Sequence, residues 1–281
     1  MSLKGFVSIL QRLKKDKAAF AGFIIVSSMI ILAAIGPFLA LHDPVKQDLI
    51  KSLQPPNREF LLGTDKFGRD ILSRILHGSR ISLAMGLIPI GIGLLFGLLL
   101  GLFSGYYGGV LDQVVMRFMD LLLSFPYFLL ALLIVATLGP GLENAMIAIG
   151  IGLIPSYARL TRGSVLSVKE EYFVMAAKAV GGGDIRIMFR HILPNLLTPL
   201  VVFSTLKMAE SILAAAALSF IGLGAQPPTP EWGLMLNAAR DYIFAAPHAV
   251  IYPGFAIVIT VLGFNLLGDG LRDILDPRYR V

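Results

Sequence analysis

Lys207 and Glu210 stand three residues apart near the middle of an apolar stretch that runs from about Leu196 to Leu223. A lone charge at the centre of a bilayer costs roughly 2.5 to 3.5 kcal/mol even on a lenient insertion scale, so both side chains are expected to face protein or water. At a spacing of i, i+3 they can neutralise each other on one helix face. They can equally line a path on which a zwitterionic solute meets both signs, and the residues alone leave the two readings open. Nothing else in the chain offers reaction chemistry. There is no GxxxxGK[ST] loop to cradle phosphates, no HExxH and no GxSxG. The histidines His42, His77, His191 and His248 lack ligand spacing, and the absence of cysteine excludes disulfides and thiolate metal sites. The expectation is a chain with no catalytic residue, no metal site and no cofactor of its own.

A polar island from Ala158 to Asn195 is the other candidate for function. Its core reads as two short amphipathic helices around the triple glycine Gly181 to Gly183. Ser167 and Glu170 have capping-box spacing, and Phe173, Ala176, Ala177 and Val180 then recur at i, i+3, i+4, i+7. The glycines suit a turn with positive φ. Asp184 is a natural N-cap, Ile185, Met188, Phe189 and Ile192 repeat the apolar spacing, and Pro194 is expected to stop the second helix. Such a pair is shaped for docking rather than for spanning.

The elements that position these groups are membrane helices. Of 281 residues, 56% are hydrophobic and 15% charged, against roughly 45 to 50% and 25% in soluble domains. Six stretches reach the ~20 residues a span needs: about Ala18–Leu41, Ile81–Phe103, Phe118–Leu138, Leu142–Leu160, Leu196–Leu223 and Tyr242–Leu267. The first exceeds the length of a signal-peptide apolar core and is read as an uncleaved span. Lys4, Arg12, Lys14, Lys15 and Lys17 place the N-terminus in the cytoplasm by the positive-inside rule. Six spans then put both termini there, together with the island and its Arg159, Arg162, Lys169, Lys178, Arg186 and Arg190. The net charge of +6 is explained by these inner loops, so no nucleic-acid partner is expected. The fold class is all-α, a polytopic membrane protein.

The island resembles the cytoplasmic signature of the permease subunits of binding-protein-dependent ABC importers, EAA, three residues, Gly, nine residues, then I-x-LP. Ala176, Ala177, Gly181, Leu193 and Pro194 fall in register, with Met175 in place of the family's Glu and His191 where many members have Ile. Elsewhere LGTDKFGRDILSRILHGSRISLAMG (Leu62–Gly86), GYYGGVLDQVVMRFMD (Gly105–Asp120), LSFIGLGAQPPTPEWG (Leu218–Gly233) and FNLLGDGLRDILDPR (Phe264–Arg278) resemble the C-type subunit of dipeptide and oligopeptide permeases, with Ala215 where the family tends to carry a glutamate.

The resemblance implies a two-part chain: residues 1–60 hold the N-terminal segment, first span and start of an external loop, and residues 61–281 hold the permease core with its coupling loop at about 158–195. It also implies a heterodimeric pore with a B-type permease, two cytoplasmic ATPases that use ATP and Mg, an extracytoplasmic binding protein and an inner-membrane location. Ala176, Ala177, Gly181, Asp184, His191, Leu193 and Pro194 become the ATPase-coupling residues, and Lys207 and Glu210 the candidate path. Family substrates include dipeptides, longer peptides, nickel complexes and glutathione, and peptide is the favoured class. Rival readings are an ion-gradient-driven secondary transporter, which should show inverted repeats and buried ion ligands, and a signalling subunit that conducts nothing.

Three local expectations complete the reading. Asp70 to Leu76 should form an amphipathic helix at the membrane surface, with Asp70 and Arg74 paired at i, i+4. Trp232 should be an interfacial anchor, and Asp120 should pair with Arg117.

Overall fold

The computed structural model describes residues 16–275. The basic residues Lys4, Arg12, Lys14 and Lys15, and the segment from Asp276 onward, lie outside the described residues.

Helix α1 (Lys17–Leu39) starts where the Asp16 carboxylate accepts the amides of Ala18 and Ala19. It is apolar on every side, which suits only lipid and other helices. Near its end Pro37 has no N–H, so the Ala33 carbonyl loses its helical donor. Arg80 of the next helix replaces that donor: its Nε donates to the Ala33 carbonyl at 2.5 Å and a terminal nitrogen to Ala34 at 2.6 Å.

Helix α2 (Ile71–Tyr107) has 37 residues, about 55 Å at 1.5 Å per residue, and overruns a ~30 Å hydrocarbon layer. Its first turns are the stretch expected to lie flat at the membrane surface. They are instead the first turns of this long helix, and Ile71, Ser73, Arg74 and Ile75 are buried against the rest of the chain. Asp70 is used as the N-cap, accepting the Ser73 amide at 2.9 Å, so it does not pair with Arg74. The Arg74 guanidinium lies 3.7 Å from Asp65 and donates to the carbonyls of Pro44, Pro228 and Thr229.

Helices α3 (Gly109–Leu123) and α4 (Tyr127–Leu138) meet at 89°. The single span expected over Phe118–Leu138 is therefore broken. Pro126 explains it, because proline cannot donate into a continuing helix and disfavours helical backbone before it. Helix α5 (Leu142–Val168) lies against α2. A Cβ at Gly93, Gly97 or Gly101 of α2 would come within 2.4 to 2.6 Å of Leu153, Tyr157 or Ala158, so the small-residue stripe serves close packing within the chain.

Helices α6 (Tyr172–Ala179), α7 (Asp184–Phe220), α8 (Trp232–Ala239) and α9 (His248–Leu275) follow. Among the described residues α1, α2, α7 and α9 are each long and apolar enough to cross a membrane, and the bent α3–α4 pair makes at most a fifth span. This is fewer than the six expected. Helix α5 has 27 residues but falls short in apolarity. It carries Glu143, Asn144, Arg159 and Arg162, and the two arginines are paired with Asp120 and Asp112 of α3.

The two ends of α2 hold different structures. At its start the Trp232 indole donates to the Ile75 carbonyl at 3.2 Å and is fully buried. It is therefore a core residue, not an interfacial anchor. At the far end the Tyr106 hydroxyl donates to Asp184 at 2.7 Å. Thirty-one residues of helix separate the two contacts, about 46 Å, so the polar segment before α2 and the α6–α7 loop occupy opposite ends of the molecule.

Trp232 opens α8 behind Glu231, whose carboxylate caps the helix by accepting the amides of Gly233 and Leu234 at 2.8 Å. Burial pushes the Glu231 carboxyl above its ordinary value, opposed by these amides and by the hydroxyls of Ser219 and Ser82. A raised folded-state value means that the folded protein holds the proton more tightly than the unfolded chain. This contribution to stability is thus full at pH below the unfolded value and is lost as pH rises through the folded one. Melting temperatures measured from about pH 4 to 8 should show the parent's advantage over Glu231→Gln largest at the acid end and shrinking upward. An advantage that grows with pH would reverse the assignment.

Candidate functional site

The expected pair of helices around the glycines forms, in altered detail. Ser167 lies within the last turn of α5, bonded to the Gly163 carbonyl, and Glu171 occupies the N-cap of α6 without a side-chain cap bond. The expected Ser167–Glu170 capping box is absent because α5 continues to Val168. Val174 of α6 is buried, whereas Phe173, Ala176 and Val180 face outward.

The end of α6 is a Schellman turn. The Gly182 amide donates to the Ala177 carbonyl and the Gly181 amide to Lys178, both at 2.9 Å. Gly181 has φ +82°, and a Cβ at Gly182 would approach the Ala177 carbonyl to 2.7 Å. Gly183 has extended backbone and open space, so it has no such requirement.

Beyond the turn the second helix does not stop at Pro194. It runs from Asp184 to Phe220 as α7, and Asp184 is its first residue rather than its cap. A π turn over Ile187–Ile192 makes this continuation feasible: the Leu193 amide reaches back to the Met188 carbonyl, five residues away. This wider turn accommodates the proline, and the His191 carbonyl accepts the side-chain amide of Asn195 at 2.7 Å. The π turn also re-sorts the apolar face. Ile187, Met188 and Ile192 are buried, while Ile185 and Phe189, which an α-helical period would have buried, are exposed.

Of the candidate coupling residues, Ala176, Ala177, Gly181 and His191 line one open concavity of about 490 Å³, joined by Phe173 and Val180. Asp184 is directed to Tyr106. Leu193 is half-buried and Pro194 exposed, just beyond the concavity. Met175, the residue at the family's acidic position, is exposed beside it.

Lys207 and Glu210 pair with each other at 2.6 Å, Glu210 with half its side chain exposed and Lys207 mostly covered and above the Phe203 ring. They lie more than three helical turns beyond Pro194, about 20 Å along α7, and so form a separate feature. A groove of about 840 Å³ between α1, α2, α7 and α9 is lined almost wholly by apolar side chains and includes neither Lys207 nor Glu210.

Sequence reasoning missed two further ion contacts. Arg162 of α5 holds Asp112 of α3 through two bonds, at 2.7 and 2.6 Å, and Asp120 pairs with Arg159 of α5, not with Arg117. Both partners come from another helix, and no spacing rule reaches that far.

A bundle of long apolar helices with a short exposed helix and a glycine turn at one end is an integral membrane protein. The chain belongs to a transport family: a profile described as "Binding-protein-dependent transport system inner membrane component" matches residues 97–281, and one described as "N-terminal TM domain of oligopeptide transport permease C" matches residues 6–56.

It is 50% identical over 270 residues to the dipeptide transport system permease protein DppC of Alkalihalophilus pseudofirmus, covering 96% of this chain and 89% of that one. It is 47% identical over 271 residues to the glutathione transport system permease protein GsiD of Shigella flexneri, at the same coverages. With the di/tripeptide permease protein DppC of Pseudomonas aeruginosa the identity is 46% over 276 residues, covering 96% and 91%. In fold it resembles the inward-facing MetNI methionine ABC transporter, with TM-score 0.57 and 21% identity, covering 71% of this chain and 95% of that one. The protein is an ABC-importer permease subunit.

Proposed function

We propose that the chain is the C-type permease of an ATP-driven importer of dipeptides or oligopeptides, organised as residues 1–60 and a core of 61–281. It pairs with a related B-type permease, receives substrate from an extracytoplasmic binding protein and holds its α6–α7 loop against cytoplasmic ATPases, which bind the ATP and Mg. Both termini lie in the cytoplasm. The observation that carries this reading is the open concavity between α6 and the start of α7, a recess lined by apolar side chains together with Arg186 and His191, with a Schellman turn at its edge. Closure of the ATPases moves the docked helix, and α7, continuous with the loop, carries that motion into the membrane. The peptide assignment is supported by the relatives named for dipeptides and tripeptides, and glutathione, itself a peptide, is the second reading because of the relative named for it.

Co-purification tests the assembly: the tagged chain should elute with its permease partner and ATPases and hydrolyse ATP. A folded, membrane-embedded chain that recruits no ATPase would favour a gradient-driven transporter. In this proposal Lys207 and Glu210 contact substrate. Glu210→Gln should then raise the KM for peptide uptake severalfold at normal expression, while unchanged uptake would leave the two as a mutual ion pair only.

A further inference from the structure

The polar segment before α2 carries a second surface that the coupling site does not explain. Residues 44–54 fold back over the start of α2 and are pinned there. The Asp48 amide donates to Phe67 at 3.0 Å, the Leu53 amide to Asp65 at 3.0 Å and the Ser52 hydroxyl to Lys66 at 2.9 Å. Leu53 is the non-glycine residue with positive φ, 53°, among the described residues, and strain of this kind is retained where the surroundings enforce it.

What the pinned segment holds outward is the short turn Leu49–Lys51, on which Ile50 is 94% exposed and Leu49 69%. Beside it opens a pocket of about 370 Å³ whose carboxylates are Asp43, Asp48, Glu59 and Asp70. Its cations are Lys46 and Lys51, Lys51 is already held by Glu59 at 2.5 Å and the His42 Nδ1 lies 3.5 Å from the Asp70 carboxylate; four carboxylates against two lysines leave negative charge in excess. Asp70 at the base is only 3% exposed, and its Oδ1 has no hydrogen-bond partner. His42 and Phe60, with ring centroids 4.9 Å apart, supply an aromatic wall.

We propose that this surface seats the extracytoplasmic solute-binding protein: an apolar recess on that protein takes Ile50, and a basic side chain, arginine in preference to lysine, enters the pocket. The choice of partner rests on the importer reading above. An apolar anchor beside a partly desolvated charge has the composition of a protein–protein interface. Anionic lipid headgroups would be repelled by the carboxylate excess. Arginine's planar fork matches carboxylates and stacks on aromatic rings, which an ammonium group does less well. Preformed, the loop has little ordering entropy left to lose on binding.

The test is the affinity of the fluorescently labelled cognate binding protein for the complete transporter in lipid nanodiscs, measured at several salt concentrations. Ile50→Ser should raise Kd about tenfold or more. Asp43→Asn with Asp48→Asn, which keeps the side-chain oxygens that accept the amides of Val45, Lys46 and Ile50, should raise Kd severalfold and flatten its salt dependence. Kd within twofold of the parent for both variants overturns the proposal while leaving the importer reading intact. If the parent complex binds no solute-binding protein, both fall.

Discussion

Gly181→Asp is expected to lower ATP-driven uptake by at least about tenfold, with co-elution of the ATPases lost. Gly181 is the αL residue of the Schellman turn, at φ +82°, where a side chain costs up to ~1 to 2 kcal/mol. The new Cβ meets no atom of this chain within 4 Å, so the carboxylate stands in open space at the edge of the concavity that the proposal assigns to the ATPase. A carboxylate brought into an interface adds a desolvation cost, which a contact with Arg186 of the same recess offsets only in part. The two costs together exceed the ~1.4 kcal/mol that corresponds to a factor of ten. Gly183→Ala supplies the contrast: φ there is −67° and the space is open, so uptake should stay near the parent's. Uptake and co-elution unchanged by Gly181→Asp would remove this loop from coupling. A loss of the same size in Gly183→Ala would mean that the turn tolerates no side chain, whatever its charge.

Arg74→Met should produce the largest loss of stability, on the order of 3 to 5 kcal/mol. Arg74 is 1% exposed and ties three pieces of chain together: Asp65, the Pro44 carbonyl before α2, and the Pro228–Thr229 loop before α8. Methionine fills much of the volume but leaves these carbonyls without their donor and removes a cation beside Asp65. Asp65 keeps its 2.7 Å bond to Arg69, which bounds the damage. The readout is the thermal unfolding midpoint of the solubilised complex together with its yield, and a midpoint unchanged from the parent's would show the network to be dispensable. Because Arg74 lies at the end of α2 far from Tyr106, the midpoint should fall without selective loss of ATPase co-elution in the protein that remains folded.

Helix α6 and its glycine turn were legible because their signals are local. A triple glycine after an amphipathic octet needs only neighbouring residues to make a turn, and Gly181 has the positive φ it suggested. The stop at Pro194 was misread for the opposite reason. The ring could be accommodated because Ile187–Ile192 widened into a π turn against buried neighbours, a choice made by packing. Arg74 and Asp70 illustrate the same limit: their i, i+4 spacing offered a pair, but Asp70 was already engaged as a cap and Arg74 had partners 30 and 154 residues away.

By itself, then, the sequence determined that the chain is a bundle of membrane helices with a glycine-turned polar loop and two opposite charges spaced to meet on one helix face. Apolar runs, basic flanks and glycine turns act through the solvent and the adjacent backbone, and both are implicit in the local order of residues. Only the tertiary structure decided that α3 and α4 bend by 89°, that Trp232 and Arg74 are core, and that a strained loop holds Ile50 outward beside a carboxylate pocket. Each of those depends on which distant group supplies a donor, a wall or a counter-charge. That information resides in the packing of segments brought together from across the chain.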